Sequence, residues 1–134
     1  MGTKWASIAV LDGGTDGIRA VAATVARVKM HLVKAYAAND TYATVIANSC
    51  GSVDLVPGDL VQSGAAGAAR ATTVAAKSIA LTANSGVAPN LQVVIVDSTG
   101  TAVLLVNDET SDQQVYSGGT FNVPAWTYTI GQPT

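Results

Sequence analysis

Apolar and polar residues alternate most clearly in residues 26–35, which read ARVKMHLVKA. The apolar side chains fall on one face and the polar ones on the other: Val28, Met30 and Leu32 against Arg27, Lys29 and His31. A period of two is typical of a strand with one buried face. The pattern therefore predicts a half-buried strand that carries His31 on its solvent side.

Two other segments in the first part of the chain show helical spacing. Apolar residues recur at helical intervals between Leu11 and Val25, although three glycines in that stretch each weaken a helix by about 1 kcal/mol relative to Ala. We expect one short, weak helix there. A second short helix is predicted over residues 41–48, with Asp40 as its N-cap and Gly51 as its C-terminal stop.

The chain after Gly51 consists of short apolar stretches separated by Gly, Pro, Asn and Asp, which is typical of strands and tight turns. Further strands are predicted over residues 59–63, 69–75, 78–83, 91–97, 102–107, 113–116 and 126–130. The strands 91–97 and 102–107 are almost continuously apolar, so both are expected to be central strands buried on two faces and joined by the turn 97–100.

These elements predict a mainly β fold. We expect a single domain over residues 1–134, built as a β-sandwich or open barrel of about seven to eight strands with one or two short N-terminal helices. Apolar residues make up 49% of the chain, but Ala and Val dominate and there is one Phe, so the core is made of small side chains. Such a core leaves a thin margin over conformational entropy, which favours self-association or docking on a larger surface.

Charge excludes some classes of partner. Only 12% of the residues are charged and the net charge is −2, with Lys and Arg scattered singly and none after Lys77. Binding to nucleic acid requires a basic stripe, so no nucleic-acid partner is expected. No apolar run approaches the length of a membrane span and Met1 to Leu11 lack the features of a signal peptide, so we expect no membrane partner and a protein that is made and used in the cytoplasm.

The candidate catalytic and ligand-binding residues are few. Cys50 is the only Cys and His31 the only His, so a thiol nucleophile would need that one imidazole, and a buried or loop Cys is the preferred interpretation. The sequence Asp97-Ser98-Thr99-Gly100-Thr101 superficially resembles the phosphorylated-aspartate motif of ion-pumping ATPases but has Ser98 in place of Lys, which favours a simple turn.

Acidic residues do not form a recognisable metal site either. Asp12 and Asp16 have the wrong spacing for an EF-hand, and the cluster at residues 108–112, which includes Glu109, is typical of a solvated loop. The glycine-rich stretch at residues 63–69 lacks the Lys-Ser/Thr of a P-loop and is interpreted as a surface loop. We therefore expect no enzyme, no catalytic residue, no metal ligand and no cofactor.

Two stretches resemble a family of small proteins of tailed bacteriophages and prophages, often encoded near head genes. They are Arg70-Ala71-Thr72-Thr73-Val74-Ala75-Ala76-Lys77-Ser78, followed by a strand and the turn 97–100, and Asn122-Val123-Pro124-Ala125-Trp126. The opening Trp5 and Leu11-Asp12 and the closing Pro133-Thr134 are also similar, so the resemblance spans nearly the whole chain. Gly13, Gly14 and Gly17 depart from the better helix formers of that family.

The resemblance implies a structural virion protein. Its expected role is capsid decoration, or cement, on the outside of a phage head, where the partners are the major capsid protein lattice and neighbouring copies or a homo-oligomer. Many weak contacts on a symmetric lattice gain avidity that a marginal monomer lacks. We expect the lattice contacts in residues 56–69 and 108–120, with the termini free to extend.

Two alternative functions stay open at this point. A tail protein, acting as a baseplate or fibre adaptor, has the same compositional features. A carbohydrate-binding β-sandwich would need an exposed aromatic platform formed by Trp126, Tyr128 or Tyr116, but the alternation of Trp126 and Tyr128 with Thr indicates that their face belongs to the core.

Overall fold

The computed structural model describes residues 4–108 and 112–134. Within them the chain forms nine strands in two antiparallel sheets and two α-helices. The elements are α1 (Ile8–Ala22), β1 (Val28–Val33), α2 (Tyr42–Ala47), β2 (Ser49–Asp54), a 3₁₀ turn (Pro57–Asp59), β3 (Leu60–Ser63), β4 (Arg70–Val74), β5 (Lys77–Leu81), β6 (Gln92–Asp97), β7 (Ala102–Asp108), β8 (Thr120–Val123) and β9 (Trp126–Ile130). The expected mainly β, open architecture is confirmed.

The larger sheet has six strands in the order β7-β6-β1-β2-β5-β8, and the smaller has the order β3-β4-β9. One face of the larger sheet packs against the smaller sheet and α1, and this contact forms the main core around Met30, Ile79 and Ile95. The opposite face is covered in part by α2, whose Val45 contacts Val94. The two helices therefore lie on opposite faces of the larger sheet.

Helix α1 is longer than the sequence predicts. It begins after Ser7, whose hydroxyl accepts a hydrogen bond from the Val10 amide, and it continues through the three glycines. Contacts with the smaller sheet explain its persistence, because its buried Asp12 forms an ion pair with Arg70 and its buried Thr15 hydrogen bonds to Thr72. Docking of this kind contributes more to helix stability than intrinsic propensity does.

Helix α2 lies within the predicted segment, but its caps differ from the expected ones. Thr41 is the N-cap and accepts the Thr44 amide, whereas the Asp40 carboxylate accepts the Ala37 amide. Asn48, not Gly51, follows the last turn. Gly51 lies inside β2, where an added Cβ would overlap the carbonyl oxygen of Ala80.

Strands β2 and β8 were not predicted from the sequence, and the predicted strand at residues 113–116 is wrong. β2 and β8 contain Ser, Gly, Asp, Thr and Asn, and pairing with neighbouring strands makes them extended despite a weak local preference. Residues 113–116 do not form a strand. The Ser85 hydroxyl accepts the Val115 amide, and the Ser85 amide donates to the Val115 carbonyl, which holds that segment as a loop.

The burial of three strands also corrects the expectations. β1 is central and not half-buried, because β2 and β6 flank it and both of its faces are covered, so His31 is buried. β6 is central as predicted, and the turn at residues 97–100 is confirmed. β7, predicted to be central, is instead the edge strand of the larger sheet and is only partly buried. No helix in the described ranges is long and apolar enough to cross a membrane.

Candidate interaction surface at strand β7

Cys50 and His31 do not form a nucleophile–base pair. Cys50 is fully buried in β2, and burial raises the pKa of its thiol. His31 Nδ1 lies 2.8 Å from the Ser49 hydroxyl, and its Nε2 is buried without a hydrogen-bond partner among the described residues. Burial, together with the nearby Lys29, lowers the pKa of His31 to about 4. A thiolate–imidazolium pair is not formed.

The acidic residues of the two segments considered as metal sites, residues 12–16 and 108–112, mostly stabilise the fold. Asp12 and Asp16 lie in α1, where Asp12 forms a two-pronged ion pair with Arg70 at 3.0 Å and Asp16 accepts the Gln62 amide. Hydrogen bonding to Arg70 lowers the pKa of Asp12. Of the cluster at residues 108–112, Glu109 lies outside the described residues, and Asp112 accepts the Leu91 amide at 2.8 Å. The described residues contain no group of three His, Cys, Asp or Glu side chains suited to a metal ion.

Asp97 holds the turn after β6. Its carboxylate accepts two hydrogen bonds from Arg27 at 2.8 and 2.9 Å and also accepts the backbone amides of Thr99 and Gly100. The Arg27 guanidinium and the Gly100 amide keep the pKa of Asp97 far below its usual range. An aspartate held in this way closes a hairpin, and its four hydrogen bonds are all made within the fold.

The aromatic platform required by the carbohydrate alternative is not assembled. Trp126 and Tyr128 pack against the main core, as the Thr alternation predicts, and the Tyr128 hydroxyl is 2.7 Å from that of Thr15. The Trp126 indole nitrogen is buried. Tyr116 is exposed but lies in the loop before β8, so these three rings do not form one surface.

The longest of the four edge strands in the described structure is β7, with β8, β3 and β9 having four, four and five residues. This strand has seven residues, pairs with β6 on one side and has no strand on its other side among the described residues. Free edges present unpaired amide and carbonyl groups, which proteins usually protect with short strands, prolines or charges. β8 has four residues and is followed by Pro124, whereas β7 is apolar from Ala102 to Val106.

A bulge shapes this edge. Ile95 pairs with Leu105 and Val96 pairs with Val103, so Leu104 has no direct partner in β6. Bulges redirect side chains and bend the strand. Leu104 and its neighbour Leu105 both line two grooves, one along each face of β7.

The first groove, called the tyrosine groove, lies between β7 and the segment that leads into α2. Its volume is about 590 Å³, and it is lined by Tyr36, Asn39, Asp40, Thr41, Tyr42 and residues 101 and 103–106. The Asp108 side chain shares its face of β7, because Asp108 pairs with Gln92 just as Val106 pairs with Val94 two residues along. The groove is amphipathic: its lining contains one carboxylate, that of Asp40, and no Lys or Arg, and Asp108 lies beyond the lining on the same face of β7.

The second groove, called the apolar groove, separates β7 from α1 and β9. Its volume is about 320 Å³, and it is lined by Gly14, Thr15, Ile18, Leu104, Leu105, Tyr128 and Ile130. It marks the place where the sandwich is open between the two sheets. The free edge of β7 thus runs between an acidic, aromatic groove and an apolar one.

The sequence pattern did not reveal that β7 is an edge strand with a groove on each face. The run AVLLV in β7 closely resembles VVIV in β6, and an apolar run does not reveal whether a strand is flanked on one side or on two. The available signal was the polar end of β7, which has two residues, Asn107 and Asp108, whereas β6 ends in the single polar residue Asp97. Comparison of the chain with protein-family models, curated proteins and solved structures found no match.

Proposed function

We propose that this protein is a structural component of a tailed-bacteriophage virion that decorates the outside of the head by binding the major capsid protein lattice. The observation that carries the proposal is the free apolar edge of β7 in a β-sandwich with few charges. An exposed edge of this kind is a liability in an isolated protein but serves as a docking element in an assembly. The resemblance to small phage head-region proteins is the reason for proposing the phage head as the assembly that is bound.

Two further regions, residues 56–69 and 108–120, complete the proposed contact surface. Val56 and Val61 are each 54% exposed, and the described part of residues 108–120 is exposed except at Val115. Apolar side chains of this exposure lose water on docking, which contributes about 25 cal/mol per Å² of apolar area. Repetition of such contacts across a lattice gives avidity without a large interface per copy.

The described terminal segments, residues 4–6 and 132–134, are held against the fold, contrary to the expectation that the termini extend. Gln132 accepts the Ala6 amide at 2.8 Å and donates to the carbonyls of Ala6 and Ala68, and the Lys4 ammonium donates to the Thr134 carbonyl. The proposed docking therefore uses the folded surface and not the terminal segments described here.

Co-sedimentation of the purified protein with heads assembled without it, and separately with isolated tails, tests the proposal. Decoration predicts saturable binding to heads at a stoichiometry fixed by the lattice. Binding to tails alone would establish the adaptor role instead, and binding to neither would refute a virion role at these surfaces.

Three lysine variants locate the contact. Val106→Lys places a charge on the edge strand at a residue that is 39% exposed, and we expect it to reduce head binding at least about ten-fold. Val61→Lys tests the region of residues 56–69 at an exposed position of β3. Val25→Lys is the control, because Val25 is 88% exposed, lines neither groove and falls outside residues 56–69 and 108–120, and its binding should equal that of the wild type.

A further inference from the structure

We propose that β7 accepts an extended segment of a partner protein as an added strand, and that this segment alternates basic and apolar side chains. The basic side chains lie over the tyrosine groove and the apolar ones over the apolar groove. The inference rests on the proposed function, because it specifies the chemistry of the lattice segment that the protein binds.

The backbone of β7 is suited to pairing with an added strand. An edge strand binds an extended peptide through main-chain hydrogen bonds, and grooves on its two faces select alternate side chains of that peptide. β7 is long enough for such pairing, since it has seven residues, and its outer side has no strand among the described residues. A groove lies along each of its faces.

The charges around the two grooves favour a basic partner. Asp40 lines the tyrosine groove and Asp108 lies on the same face of β7, while no Lys or Arg lines either groove. Elsewhere, Asp12, Asp54, Asp59 and Asp97 each have a Lys or Arg partner, and Asp16, which lines neither groove, accepts the Gln62 side-chain amide. Carboxylates without a cation at a docking surface favour a basic partner.

The same charges disfavour a second copy of this chain. A twofold-related β7 would keep each face on its own side, so it would place the same two carboxylates of the second copy on the side that already carries Asp40 and Asp108. β7 itself contains no basic residue. Like charges across an interface select against a partner, and the occupant that fits is therefore a basic, extended segment.

Titration of the ¹⁵N-labelled protein with short synthetic peptides tests the proposal. The probe is a blocked nine-residue peptide in which Lys and Val alternate, and the controls are the same peptide with Glu in place of Lys and a version N-methylated at alternate residues. We expect the Lys peptide to shift the amide signals of residues 102–108. The Glu peptide should not bind, and N-methylation should abolish binding because it removes backbone donors and keeps the side chains.

Charge variants of the protein test the acidic side. Asp40→Asn together with Asp108→Asn should weaken Lys-peptide binding about five-fold at low salt and reduce its salt dependence. The double variant Asp16→Asn, Asp54→Asn changes the net charge equally at residues that line neither groove, and its affinity should match that of the wild type. Amide spectra of each variant confirm that the fold is intact before titration.

Several results would overturn the inference. Equal binding of the N-methylated peptide would show that strand pairing is not involved, and shifts confined to residues outside β7 and the two grooves would place the peptide elsewhere. Shifts produced by a methyl pyranoside but by neither peptide would make the tyrosine groove a saccharide site. Head binding that is unchanged in the Asp40→Asn, Asp108→Asn variant would leave decoration standing and remove this mode of docking.

Discussion

His31 is a neutral imidazole enclosed in the larger sheet. Ser49 contacts its Nδ1, Lys29 lies on the same strand, and Ser52 and Val94 are its direct neighbours in the flanking strands. None of these neighbours is a carboxylate that would stabilise the charged ring. The protonated form is therefore disfavoured in the folded protein.

The free energy of unfolding should fall as the pH falls from 6.5 to about 4. In that window the unfolded chain binds a proton at His31 that the folded chain, with its pKa of about 4, does not bind. The shift corresponds to about 3 kcal/mol, which solvent screening reduces to about 2 kcal/mol. Urea unfolding at pH 7.5 and 4.5 measures this loss.

His31→Gln is the comparison for that experiment. The variant should lose about 2 kcal/mol less between the two pH values than the wild type does. The pKa values of Asp12 and Asp97 are lowered from about 3.8, so their contributions are lost at more acidic pH, below this window. An identical pH dependence in variant and wild type would show that His31 titrates normally.

Cys50 gives a second test at the residue scale. Its side chain is fully buried and its thiol pKa is raised, so little thiolate forms and little reagent reaches it. We expect alkylation by iodoacetamide at pH 8 to be at least about 100-fold slower in the folded protein than in urea. Comparable rates in the two states would contradict the burial of this strand.

At the scale of elements, α1 and β2 use glycine in opposite ways. An added Cβ at Gly13 or Gly17 of α1 meets no atom within 4 Å, whereas at Gly51 of β2 it meets the Ala80 carbonyl. The helical glycines weaken the helix without a packing reason. Gly51 instead permits the close approach of β2 and β5.

Alanine substitutions should therefore change stability in opposite directions. Gly13→Ala and Gly17→Ala should each raise the free energy of unfolding by about 1 kcal/mol. Gly51→Ala should lower it by about 2 kcal/mol or more, because the backbone must shift to remove the overlap. Urea denaturation of the three variants measures these values, and a stabilising Gly51→Ala would show that the two strands are not so close.

At the scale of the whole molecule, the two ends of the described chain are joined at one place. Gln132 connects the segment before α1 with the segment after β9 and with the loop before β4 through three hydrogen bonds. Residues far apart in sequence therefore close the smaller sheet and its helix into one unit.

Gln132→Ala should lower the free energy of unfolding by about 1 to 2 kcal/mol, since a partly buried amide and two carbonyls lose their partner. Gln114→Ala is the matched control, because Gln114 is exposed in a loop and should change stability by less than about 0.5 kcal/mol. Urea denaturation measures both. Equal effects would mean that the junction of the termini adds nothing to stability.

The sequence by itself determined the mainly β class, the hairpin at residues 97–100 and most strand positions, because periodicity and turn residues act over a few neighbouring residues. It also indicated that Trp126 and Tyr128 face the core. Only the tertiary structure decided that polar β2 is a strand, that His31 is buried and that apolar β7 is an edge. Those properties depend on which strands lie alongside, and these come from distant parts of the chain, as do both grooves of the candidate interaction surface.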